Sequence, residues 1–148
     1  MGFVFRLETV LAHRRHLEDL ALNELAKRLK AQQDCERQIA WMHEELIRAR
    51  QELTEKESRG IRAQDYILAN EYVTVIRLQA MREQSRLPVL RLETDQARAR
   101  LIEATRARKV LETLKDRHRA QWEREQLALE QKLLDEVAVG RFARRQAP

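Results

Sequence analysis

ARKVLETLKDRHRAQWEREQLALEQKLLDEVAVGRFARR, residues 107–145, decides the fold. Val110, Leu111, Leu114, Trp122, Leu127, Leu129, Leu133, Leu134 and Val137 give it an apolar stripe. Almost everything between them is charged or a strong helix former, which predicts the end of a very long helix. Gly140, a residue often found just past the last turn, is expected to close it.

Upstream, one strict heptad phase joins Val73, Ile76, Ala80, Leu87, Leu90, Ala97, Leu101, Ala104, Leu111, Trp122 and Leu129. Glu83, Thr94, Arg108, Lys115, His118 and Glu125 are the polar members of that seam. The spacing predicts a helix over 65–139, ~110 Å long at about 1.5 Å per residue. Asp65 or Asn70 is the expected N-cap. Pro88 lies within this helix, where it removes a backbone donor and predicts a kink near 88.

The N-terminal half repeats the pattern. Leu7, Val10, Leu17, Ala21, Leu25 and Leu29 give way to a weak patch at Gln32, Cys35 and Glu36, and Ile39, Met42, Leu46, Ala49 and Leu53 restore the seam. The spacing predicts a first helix over 4–58, ~80 Å long. Gly60 and its neighbours, 59–64, form the predicted tip, and 140–148 a frayed basic tail. The expectation is all-α: one domain over 1–148, an antiparallel two-helix coiled-coil hairpin whose longer second helix overhangs at the terminal end. If the chain turns near Gly60, residues whose numbers add to about 122 face each other across it. Leu7 then faces Lys115, and the chain beyond Arg119 has no cover. Apolar helix surface left in water marks an interaction site. Pro88 falls opposite the weak patch, which makes that place a soft point.

Composition narrows the function. Of 148 residues, 36% are charged and 5% aromatic, with three glycines and two prolines, too few for a turn-rich β fold. The net charge is +5, but 24 acidic residues interleave with 29 basic ones, which fits solvated helix faces better than a nucleic-acid surface. The densest basic run, Arg98 to Lys109, lies inside the heptads and has no aromatic platform or zinc-finger spacing beside it. Binding to nucleic acid is not expected. One cysteine, Cys35, precludes an intrachain disulfide, and no apolar run approaches the ~20 residues of a membrane span. MGFVFRLETVL is not a signal peptide, so the chain reads as cytosolic. No phosphate-binding glycine loop or HExxH motif is present. A two-helix hairpin offers no concave pocket for a small substrate. The reading is a non-enzyme without cofactor, metal site or catalytic residues, and a monomer when free; a generic homodimeric scaffold is the different-class alternative.

Three stretches carry a family resemblance. FVFRLETVLAHRRHLEDLALNELA (Phe3 to Ala26), ANEYVTVIRLQ (Ala69 to Gln79) and LETLKDRHRAQWEREQLALEQKLLDEVAVGRFARR (Leu111 to Arg145) resemble, in that order, the FliJ family of flagellar type III export proteins. The resemblance implies a hairpin similar to the central stalk of rotary ATPases. Its terminal end would enter the hexameric ring of the export ATPase and promote assembly and activity, through Phe5, Leu7, Arg124, Leu127, Leu129, Leu133 and Glu136. It also implies a contact with the cytoplasmic domain of the export gate, through Gln38, Met42, Glu45 and Ala49 on helix one and Tyr72, Ile76, Gln79 and Glu83 on helix two. Handling of export chaperones, and a place in the cytoplasm at the inner face of the membrane at the flagellar base, without membrane insertion, come with the same resemblance. So does the equivalent stalk of a virulence-type secretion system as a close alternative.

Overall fold

The computed structural model describes residues 2–146, and among them there are two helices and no strand. Helix α1 is Glu8–Arg59 and helix α2 is Ala63–Gln146. The protein is an all-α helical hairpin.

The turn between the helices is three residues long. Gly60 adopts φ +89°, the left-handed conformation that ends helices at little cost only for glycine. Its N–H donates to the Glu57 carbonyl at 3.3 Å, and the Ser58 hydroxyl donates to the Glu55 carbonyl at 2.7 Å. The Tyr66 N–H donates to the Arg62 carbonyl at 3.0 Å. Helix α2 therefore starts at Ala63, and neither Asp65 nor Asn70 is its cap. Asp65 sits in the first turn, where its charge favours the positive end of the helix dipole.

Three other boundaries differ from expectation. Helix one starts at Glu8, not residue 4, because residues 3–5 run as non-helical chain and the Phe5 carbonyl accepts the Glu8 N–H at 3.1 Å. Helix two does not stop at 139; it passes through Gly140 and the arginines of the expected frayed tail, as far as Gln146. Gly140 lacks the positive φ that would reverse the chain, and a helical glycine costs only about 1 kcal/mol. The expected tail's last two residues, 147–148, lie outside the described residues. Helix α2 also runs unbroken through Pro88.

The chain packs as two compact units, one formed by the residues up to Glu18 with those from Glu103 onward, the other by Asp19–Ile102. In the second unit, Val73, Ile76, Ala80, Leu90, Thr94 and Ala97 of α2 and Cys35 of α1 are buried. Those of α2 follow one another at the three- and four-residue steps of a heptad seam, with half-buried Glu83 and Leu87 between Ala80 and Leu90, and small Ala80 and Ala97 admit the facing helix closely. Thr94, a polar residue in the seam, donates to the Leu90 carbonyl of its own helix at 2.9 Å. The weak patch of α1 is bound through polar contacts. The Cys35 thiol donates to the Glu83 carboxylate at 3.3 Å, and Arg91 lies 3.6 Å from Glu36. Arg28 bridges Glu24 and Glu93, each at 2.8 Å.

In the first unit the polar seam residues of α2 also meet partners. Arg108 is ion-paired with Glu18 and with Glu112, Thr105 donates to Glu18 at 2.8 Å, and Lys115 is 2.7 Å from Glu8. Leu11 is fully buried. Among the described residues no buried side-chain nitrogen or oxygen lacks a hydrogen-bond partner. The larger effect of such pairs is on register: a slip of one heptad would separate those that cross between the helices, Glu18 with Arg108 and Thr105, and Glu8 with Lys115.

Candidate functional site

The terminal unit holds the candidate site, and it is built in two parts. The first is an N-terminal strap. Phe5 is 6% exposed and meets the edge of His118, with ring centroids 5.8 Å apart. Phe3 packs on Trp122 at 6.2 Å, and the Arg119 guanidinium lies 5.6 Å from the Phe3 ring centre. This corrects the expectation that α2 is bare beyond Arg119, since Trp122 is half-buried. The reason is geometric. Extended chain advances about 3.3 Å per residue where helix advances about 1.5 Å, so a few non-helical residues cover twice the helix they would otherwise match.

The second part is the end of α2. From Leu127 to Gln146 every residue is exposed. Leu127, Leu129, Leu133, Leu134, Val137, Val139 and Phe142 are between 52% and 69% exposed. Lys132, Arg141, Arg144 and Arg145 stand among them, with Glu130, Asp135 and Glu136 as the acidic counterparts. Arg124 precedes this stretch, donating to the Ala120 carbonyl at 3.2 Å beside an open groove of about 510 Å³ lined by Arg117, Gln121, Arg124, Glu125 and Ala128.

The residues expected at a ring contact therefore divide. Leu127, Leu129, Leu133 and Glu136 are freely exposed, Arg124 is exposed, and Leu7 is at the margin with 36% exposed. Phe5 is not available at the surface, because it anchors the strap.

The eight residues expected at the gate contact lie in the other unit and differ in exposure. Ile76 is buried; Met42, Glu45, Ala49 and Glu83 are half-buried; only Gln38, Tyr72 and Gln79 are exposed. Steps of four, three and four are also the spacing of a coiled-coil seam, and facing residues at that spacing point at each other. The surface common to both helices is the pair Tyr72 and Glu45, where the phenol donates to the carboxylate at 2.9 Å. That bond, with some desolvation, raises the phenol's pKa above its ordinary value. Residues 66–68 and 75, also exposed and apolar, were not singled out from sequence, because they fall off the main heptad phase.

Other chemistry is thin on the ground. Among the described residues there is no group of three His, Cys, Asp or Glu side chains placed to hold a metal ion, and no helix long and apolar enough to cross a membrane. Cys35 is buried, and burial followed by the neighbouring Glu83 carboxylate pushes its thiol pKa up.

An all-helical hairpin with matched polar seam residues and a long uncovered helix end defines a coiled-coil hairpin protein. The chain belongs to the FliJ family: the model of the flagellar FliJ protein family matches residues 3–147. It is thus a coiled-coil protein related to flagellar export. No curated protein and no solved structure matched.

Proposed function

We propose that this protein binds the ring of the flagellar export ATPase as a central stalk, promotes its assembly and activity, and links it to the export gate. The observation that carries the reading is the uncovered end of α2, with seven large apolar side chains more than half exposed over Leu127 to Phe142. Exposed apolar surface of this extent marks an interaction site, and side chains spread around a helix suit a partner that encloses it, as a ring does. Leu127, Leu129, Leu133, Glu136 and Arg124 make the contact, with Leu7 at its edge. Phe5 acts through the strap, holding the N-terminal chain on His118 and leaving α2 free beyond Trp122.

The gate's cytoplasmic domain is assigned to the surface around Tyr72, Gln79, Gln38 and Glu45, with Met42, Ala49, Ile76 and Glu83 supporting it from the seam. Export chaperones are further partners in this reading, which places the protein in the cytoplasm at the flagellar base. The flagellar family match favours this system over a virulence-type one.

The test is ATP hydrolysis by the cognate export ATPase, measured over a range of enzyme concentrations with and without this protein. A shift of assembly and activity to lower enzyme concentration supports the reading. An unchanged curve, with an ATPase shown to be competent, overturns it.

A further inference from the structure

Helix α2 carries a second apolar seam within the Asp19–Ile102 unit. Leu68, Val75, Leu78, Val89 and Leu92 are 50–64% exposed and alternate at steps of three and four with Glu71, Arg82, Ser85, Gln96 and Ala99, all of them exposed. These positions are out of phase with the buried seam of Val73, Ile76, Ala80 and Leu90, so α1 does not cover them.

The order of the residues on this seam is a palindrome. About a midpoint between Glu83 and Gln84, Leu78 mirrors Val89, Val75 mirrors Leu92 and Leu68 mirrors Ala99. The polar members mirror each other too, Arg82 with Ser85 and Glu71 with Gln96. No pair on the seam itself brings like charges together, and none sets a large apolar residue against a charged one. A pattern that reads the same in both directions is what a two-fold antiparallel pair of identical helices requires, because each residue must suit its mirror position on the other copy.

We infer that this face pairs with the same face of a second copy of the chain, antiparallel, with the two-fold axis beside Glu83 and Gln84. This departs from the expectation of a free monomer. The Ser85 hydroxyl already donates to the Met81 carbonyl at 2.9 Å, so burying it leaves nothing unpaired, and Arg82 is long enough to carry its charge out past the seam. The seam from Leu68 to Ala99 is ~50 Å long on a helix ~10 Å wide, roughly 500 Å² per copy against the ~800 Å² of a standard stable interface. The dimer is therefore weak and concentration-dependent. Its flank includes Tyr72 and Gln79, so self-pairing covers part of the surface proposed above for the gate.

The experiment is sedimentation equilibrium of the full chain from roughly 1 µM to 1 mM, with Leu78→Lys and Val89→Glu chains alone and mixed. The wild-type mass should rise toward that of a dimer. Each variant alone should keep its helicity and dimerise at least about tenfold more weakly. Mixed, they should recover dimer, because Lys at 78 then faces Glu at 89 on the other copy while the second Leu78–Val89 contact stays native. A monomer at every concentration overturns the pairing, as does a dimer that neither variant weakens. Variants that weaken the dimer but do not recover it on mixing overturn the antiparallel register.

Discussion

Arg108 occupies a seam position where a simpler coiled coil would place leucine, and its pairing with Glu18 makes the terminal unit sensitive to acid. Hydrogen bonds from Arg108 and then Thr105 favour the charged carboxylate, so Glu18 titrates below the ordinary range. Because its folded pKa is depressed, the stabilisation is present above the unfolded value, about 4.3, and is lost as pH falls through the lower folded value. Glu18→Gln should lower the urea midpoint at pH 7, and the gap from wild type should close as the pH is taken below about 4. A gap that persists in acid would mean that Glu18 acts through packing instead of charge. Cys35 gives the opposite case, a thiol held neutral by burial. Iodoacetamide at pH 8 should modify it much more slowly in the native protein than in urea, and equal rates would contradict the buried seam position. Both residues were legible only in part. Heptad spacing put Cys35 and Arg108 in the seam, but a single chain read alone does not say which acid across the interface answers which base.

Among the elements, α2 carries the clearest departure from local preference. Pro88 removes the N–H that would bond the Gln84 carbonyl, yet the helix continues on both sides because the seam through Ala80, Leu87, Leu90 and Ala97 is anchored along α1. Pro88→Ala restores the donor and should stabilise the protein by about 1–3 kcal/mol, raising the thermal midpoint by several degrees. An unchanged or lower midpoint would show that the proline fits a bend the fold needs. Gly60 is the reverse, a local preference that is obeyed. Gly60→Ala meets no neighbour within 4 Å, but at φ +89° it should cost about 1–2 kcal/mol, read as a lower denaturant midpoint. Helix existence and the turn at Gly60 could be read from periodicity and one glycine. The strap could not: Phe3 and Phe5 fit a helical start, and their non-helical path depends on rings finding Trp122 and His118, which are more than a hundred residues away. The end of α2 escaped for a related reason, since Gly140 is a stop signal only where the following chain turns back.

For the whole molecule, the surfaces that the fold leaves uncovered decide what it can bind. The bare end of α2 was legible because one seam is longer than the other. How deeply the residues assigned to the gate contact sit was not legible, because their spacing is the same whether they face solvent or each other; Ile76 is buried and Met42 and Ala49 are half-buried, while Gln38, Tyr72 and Gln79 are exposed. The central claim is that the side chains beyond Trp122 serve binding and not folding. The most direct measurement pairs two readouts on Leu129→Glu and Leu133→Glu: helicity and thermal midpoint by circular dichroism, and affinity for the assembled export ATPase ring by calorimetry. Both leucines are more than half exposed, so folding should be unchanged while binding weakens at least about tenfold. Wild-type affinity in both variants, or a loss of helicity equal to the loss of binding, would contradict it.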